Sequence, residues 1–184
     1  RDVTTPEFLY DLVESQSGRC LPLIYRPFEP SDRAHWRDRG GILDFLLATR
    51  ADGARVLDLG PGDGWPSLLL APFAAEVVGA DASLRRVDVC AENARRLGIR
   101  NASFVHVAPG DPLPFPDASF DAATAASSVE QTADPRRTLA EIRRVLRPGG
   151  RLRVVYEALG RYAPGALRES CVVETTPGTC LLLL

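Results

Sequence analysis

Gly60, Gly62 and Gly64 alternate through the stretch RVLDLGPGDGWPSLLL (Arg55 to Leu70), directly after the apolar run Val56–Leu57–Asp58–Leu59. A backbone this rich in glycine either turns tightly or lets something approach closely. Three ligand chemistries compete with the bare turn. A phosphate-cradling loop places Lys and then Ser or Thr after its last glycine, and here Trp65, Pro66 and Ser67 follow Gly64. A dinucleotide fingerprint needs its third glycine at position 65, which is Trp65. What remains is a compact G-x-G-x-G turn, which holds a ligand against the backbone without offering a helix N-terminus to a pyrophosphate.

Asp81 narrows the chemistry. It ends a second apolar run, Glu76 to Ala80, where a carboxylate accepts hydrogen bonds from ribose hydroxyls. A glycine turn and a strand-end carboxylate without a phosphate anchor suit a nucleoside whose other end is not a pyrophosphate. S-adenosylmethionine meets that description.

These groups need a scaffold, and the chain supplies alternating elements. Val56–Leu59 reads as a buried strand, followed by a helix opening at Pro66 and stopping before Pro72. After the strand ending at Asp81, a helix is expected from Leu84 to Leu97, with Leu84, Val87, Ala91, Ala94 and Leu97 on its apolar face and Gly98 at its stop. ASFVHVA and SFDAATAAS read as a third and a fourth strand. Asp134 caps a helix with Pro135 at its first position and Leu139, Ile142 and Leu146 inside; RPGG stops it, and RLRVVYEAL is a fifth strand. Such alternation predicts an α/β fold with a mostly parallel sheet covered on both faces. The first 42 residues read as a helical and irregular lid segment, with a helix from Gly41 to Thr49 leading into residues 43–184 as the binding domain. The tail reads as two strands joined at Pro177-Gly178.

Composition excludes some classes. Lys and Arg number 22 against 24 Asp and Glu, a net charge of -2, which gives no general field for nucleic acid or an anionic membrane. The pairs Arg95-Arg96, Arg136-Arg137 and Arg143-Arg144 read as solvated helix faces. No apolar run is long enough to span a bilayer, and no signal pattern opens the chain, so a cytoplasmic protein is expected. Cys20, Cys90, Cys171 and Cys180 form no C-x-x-C pair, so thiols that pack are expected and no metal site. A sequence without Met that stops on CLLLL is expected to continue beyond one or both ends.

VLDLGPGDG, VVGADAS and LPFPDASFDAATAASSVEQTADPRRTLAEIRRVLRPGGRL together resemble the class I S-adenosylmethionine-dependent methyltransferases, in the type 11 or UbiE-like branch. The resemblance runs from about Leu43 to Leu159, and the pairing of LPFPDASFD with RVLRPGG is its most specific part. It implies a seven-stranded Rossmann-like sheet whose last strand is antiparallel. It also implies roles: Asp58 near the methionine amino group, Gly60 and Gly62 under the cofactor, Asp81 on the ribose, Ala82 against the adenine. Ala125, Ala126 and Ser127 would stand beside the methionine end. One position departs from the family: its acidic adenine acceptor, four places before the Leu of LPF, is Pro109 here. Asp111 takes over that function in a reshaped loop, or the backbone near Gly110 reads the base.

The expected activity is methyl transfer to a small-molecule acceptor. That reaction is an in-line displacement from a good leaving group, so positioning supplies much of the rate and a base is needed only for some acceptors. Glu130 and His35 are the candidate bases, Tyr25 and Tyr156 (with Glu157) candidate pocket residues, and His106 reads as structural. A non-catalytic partner or regulatory subunit with the same fold is the second reading. An NAD-dependent dehydrogenase is a distant third, because Trp65 occupies its third glycine position.

Overall fold

Neighbouring residues of each apolar run turn to opposite faces of one sheet. Val56, Val77 and Ala122 pack with Phe45, Leu70 and Ala71, whereas Leu57, Val78 and Ala123 pack with Ile142 and Val145. Side chains alternate along a strand, and a strand covered on both faces is therefore apolar throughout. Each large side chain so buried contributes roughly 1.5–3 kcal/mol relative to exposure.

The computed structural model describes residues 2–3, 30–155, 170–174 and 179–183. In chain order these form β1 (Asp2–Val3), α1 (Arg33–Thr49), β2 (Arg55–Leu59), α2 (Trp65–Leu70), β3 (Glu76–Asp81), α3 (Leu84–Arg96) and β4 (Ala102–His106). There follow β5 (Phe120–Ala126), a 3-10 turn (Val129–Gln131), α4 (Pro135–Val145), β6 (Leu146–Val155), β7 (Ser170–Glu174) and β8 (Thr179–Leu183). The main sheet runs β4-β3-β2-β5-β6, and all of its pairings are parallel. Strand order reverses at β2: the chain first steps outward to β4, then returns to β5 on the other side. The crevice outside the strand ends at such a reversal is where open α/β sheets bind ligands.

The α/β class holds, with three corrections in detail. Among the described residues the main sheet has five strands, and the antiparallel pair stands apart from it. Both edges of β8 are taken, by β7 antiparallel and by β1 parallel, so β8 does not extend the main sheet. The face of α3 also differs from its expected stripe: Val89, Cys90, Asn93 and Ala94 are buried, while Leu84 and Leu97 are exposed. A polar residue sits inside because the Asn93 side-chain amide donates to the carbonyl of Asp63 at 2.8 Å. Finally, α1 starts at Arg33 rather than Gly41 and runs unbroken across residue 42. Its extra turns are tied down by Trp36, whose Nε1 donates to the carbonyl of Pro30, and by His35, whose ring lies 5.3 Å from that of Trp65.

Helix starts follow local chemistry. Ser83 caps α3 by accepting from the Arg86 amide at 3.2 Å, and Asp134 caps α4 by accepting from the amides of Arg136 and Arg137. RPGG lies within β6, where a register shift between Phe120 and Ala122 absorbs the turn at Gly149 (φ +82°). No described helix is long and apolar enough to cross a membrane.

Candidate functional site

A cavity of about 510 Å³ opens at the C-terminal ends of β2, β3, β4 and β5. Gly60, Gly62, Asp81, Ala82, Gly110, Asp111 and Ala126 line it together, as does Ser127. Residues separated by up to 67 positions in sequence, from Gly60 to Ser127, thus share one wall system. Asp58 and Gly64 do not reach its surface; they shape the turn from beneath.

The turn is held by groups on three sides. Gly60 donates to the carbonyl of Ala80 at 2.9 Å, and Ser128 Oγ donates to the carbonyl of Leu59 at 2.7 Å. Asn93 holds the Asp63 carbonyl, and the Cys90 thiol lies 3.4 Å from that of Gly62. Asp63 Oδ1 accepts from the Trp65 amide at 3.1 Å, and Gly64, at φ +95°, starts α2. Gly60 answers a packing constraint as much as a ligand. It sits at φ +70°, and a Cβ there would lie 2.5 Å from Ser128 Cβ. Gly60→Ala is therefore expected to destabilise the fold by about 2 kcal/mol, from left-handed strain plus overpacking. Urea unfolding checks this, and a double-mutant cycle with Ser128→Gly, in which the lost Ser128 bond to Leu59 cancels, should return the overpacking part.

Two carboxylates divide the labour. Asp81 ends β3 at the cavity, with Oδ1 accepting from the Ser83 amide at 2.9 Å. Asp58 is fully buried below the turn, and Ser67 Oγ donates to its Oδ2 at 2.5 Å. Its Oδ1 has no hydrogen-bond partner among the described residues. Burial pushes the Asp58 pKa up to about 7; the Ser67 bond opposes this and the Asp81 charge adds to it. Burial likewise pushes the Cys90 thiol up, helped by the carboxylates around it, so Cys90 stays a neutral packing group.

The opposite wall was invisible in the sequence. α4 turns Asp134, Arg137, Thr138 and Glu141 toward the cavity, a spacing of three, one and three that follows one helical face. Arg144 is not a solvated charge. It bonds Glu141, Asp117 and the carbonyls of Leu113 and Phe115, locking α4 to the β4–β5 connection. Glu141 Oε2 also accepts from the Leu113 amide at 3.0 Å. Those bonds, led by the one to Arg144, hold the Glu141 carboxyl below its usual range. Arg86, on the first turn of α3, also lines the cavity beside Gly62. Ser127 holds a left-handed φ of +51° at the rim, a conformation that clusters at binding sites.

The candidate bases stand elsewhere. Glu130 is buried in the 3-10 turn after β5, and His35 packs against Trp65 with Asp32 3.7 Å away; neither lines the cavity. The Nε2 of His106 pairs with the carbonyl of Ala82 at 3.1 Å, a structural contact that steadies the β3 end. Tyr25, Tyr156 and Glu157 lie outside the described residues.

The profile of the methyltransferase domain family matches residues 57–154, more than half of the chain. A demethylmenaquinone methyltransferase from Clavibacter sepedonicus is 45% identical over 101 residues, which cover 54% of this chain and 40% of that protein. An uncharacterised methyltransferase, YcgJ of Bacillus subtilis, is 36% identical over 110 residues, covering 60% of this chain and 42% of YcgJ. The crystal structure of YcgJ superposes with a TM-score of 0.59 at 31% identity, covering 65% of this chain and 50% of that one. The [4+2]-cyclase SpnF superposes with a TM-score of 0.63 at 30% identity, covering 91% of this chain and 68% of that one. The chain thus spans less than half the length of each of the two curated relatives it matches here.

Proposed function

The chain belongs to the class I S-adenosylmethionine-dependent methyltransferases of the UbiE-like branch, and from that premise we propose that it binds S-adenosylmethionine and methylates a small-molecule acceptor. One observation carries the reading. The glycine turn, the strand-end carboxylate Asp81 and the small residue Ala126 meet in a single crevice at the sheet's reversal point. The residues present fit the cofactor. Asp81 supplies a ribose acceptor. Gly60 and Gly62 leave the backbone bare where the chain bends at φ +70° and +63°. Pro61, Pro66, Val107 and Leu113 supply apolar wall. The cavity volume lies in the range of small-molecule sites.

When bound, the cofactor supplies a methyl group on a positively charged sulfur. This chain's part is to hold and orient. Asp81 would anchor the ribose, Ala82 would lie against the base, and the turn from Gly60 to Gly62 would run beneath the methionine end, beside Ala126 and Ser127. Asp58, beneath that turn, supplies negative charge when it ionises. The small-molecule acceptor is supported by the balanced net charge of -2 and by the quinone precursor in the name of the demethylmenaquinone relative. Neither Glu130 nor His35 is assigned proton transfer, since neither lines the crevice.

Isothermal titration tests the reading. S-adenosylhomocysteine is expected to bind and NAD to give no measurable heat. Tight NAD binding with no response to S-adenosylhomocysteine would overturn it.

A further inference from the structure

The base end of the crevice follows from the sheet topology. β3 lies between β2 and β4, and Asp81 is in register with His106 of β4. On the β2 side of Asp81 the glycine turn receives whatever continues from the ribose C5′ position. In the cofactor reading above, the base on C1′ would then lie the other way, toward Val107, Gly110 and Asp111, which line the cavity beyond β4. α4 closes this end from across the cavity, because Glu141 is bonded to the Leu113 amide in the same connection that carries Asp111. Arg137 stands one helical turn before Glu141 on that wall.

Most charged groups around the cavity have partners within the protein. Asp134 caps α4, Glu141 is held by Arg144, and Asp81 accepts from Ser83. Among the described residues, the side chains of Asp111 and Arg137 make no hydrogen bond or ion pair, although Arg137 lies near enough to Glu141 to help hold its carboxyl low. One is an acceptor only and the other a donor only. Both line the cavity and are solvent-exposed there, Asp111 on the β4–β5 connection and Arg137 on α4.

Resting on the cofactor reading above, we propose that Arg137 is a specificity-determining residue that reads the base jointly with Asp111. Asp111 accepts from the exocyclic amino group of adenine, and the Arg137 guanidinium donates to a ring nitrogen flanking that group, N1 or N7. Adenine presents this donor-beside-acceptor pattern. Hypoxanthine places an acceptor oxygen where the amino group was, and so sets oxygen against the Asp111 carboxylate. Pro109, which has neither an acid nor an N–H, takes no part.

The test is calorimetry on the full chain with S-adenosylhomocysteine and its 1-deaza, 7-deaza and inosyl analogues. Arg137→Ala is expected to bind S-adenosylhomocysteine about tenfold more weakly, the loss of one hydrogen bond from a charged donor. One of the two deaza analogues should show a similar deficit with the wild type and none with Arg137→Ala. Asp111→Ala should lose about tenfold and, with it, most of the preference for adenosyl over inosyl. Wild-type affinity in Arg137→Ala, or a deaza deficit that persists in it, would overturn the proposal while leaving the cofactor reading intact. A wild type that binds none of the four compounds overturns the cofactor reading itself. Melting temperatures, expected to be unchanged in both variants, separate lost contacts from lost folding.

Discussion

Asp81→Ala is expected to lower the affinity for S-adenosylhomocysteine by about a hundredfold. In the proposed reading the carboxylate, which lines the crevice, accepts from two ribose hydroxyls, and each hydrogen bond to a charged partner is worth about 1.5–3 kcal/mol. Losing two costs at least ~3 kcal/mol, or a factor of about 100 in the dissociation constant. The fold should survive. Asp81 gives up its bond from the Ser83 amide, and Ser83 still caps α3 through Arg86. Titration of the variant beside its unfolding curve separates the two effects. Unchanged affinity in a folded variant would mean that the ribose lies elsewhere.

Asp58→Asn should change stability in a pH-dependent way. An unfolded Asp titrates near 3.8, and the folded one near 7 because burial penalises its charge. Between those values the native state binds the extra proton, so wild-type stability falls as pH rises from about 4 to 7 and is level above. An asparagine side chain carries no charge and can still accept from Ser67. The variant should therefore gain on the wild type by several kcal/mol across that window, each pKa unit being about 1.4 kcal/mol. Urea unfolding at pH 3.5 to 4 and at pH 8 measures the gain. The unpartnered hydrogens of the introduced side-chain amide add a constant offset, so the readout is how the difference changes with pH. A difference that does not change with pH would show that burial does not raise the Asp58 pKa in the folded state. A site carboxylate that weakens its own fold near neutrality is a familiar mark of function retained against stability.

Much of this arrangement was legible in the sequence because it is local. The glycine turn, Asp81, Pro66 at the start of α2 and Asp134 at the start of α4 are each fixed by residues within a few positions. The contacts that escaped are long-range or run against type. Gly60 is required by Ser128, which approaches only because β5 lies beside β2. Asn93 disguised the inner face of α3, since a polar residue there makes sense only once the Asp63 carbonyl is known to face it. Arg144 looks like a solvated charge until α4 is docked against the Leu113 connection, and the place of exposed Arg137 on the cavity wall follows from the same docking. The pairing of β8 with β1 joins residues 2–3 to residues 180–181, and no local pattern announces such a contact.

The reversal of strand order at β2 has a consequence for the lifetime of the folded chain. Residues 55–106 build the crevice from one side and residues 120–155 from the other, with β2 and β5 as their seam. Gly62 and Asp81 of the first half and Ala126 and Arg137 of the second line the crevice, so a ligand filling it would bridge the seam. It acts as a removable staple. At a concentration a hundredfold above its dissociation constant, such a ligand adds about 2.7 kcal/mol against opening. Opening of the seam, and with it access for a protease, is then throttled by how much cofactor the surroundings supply.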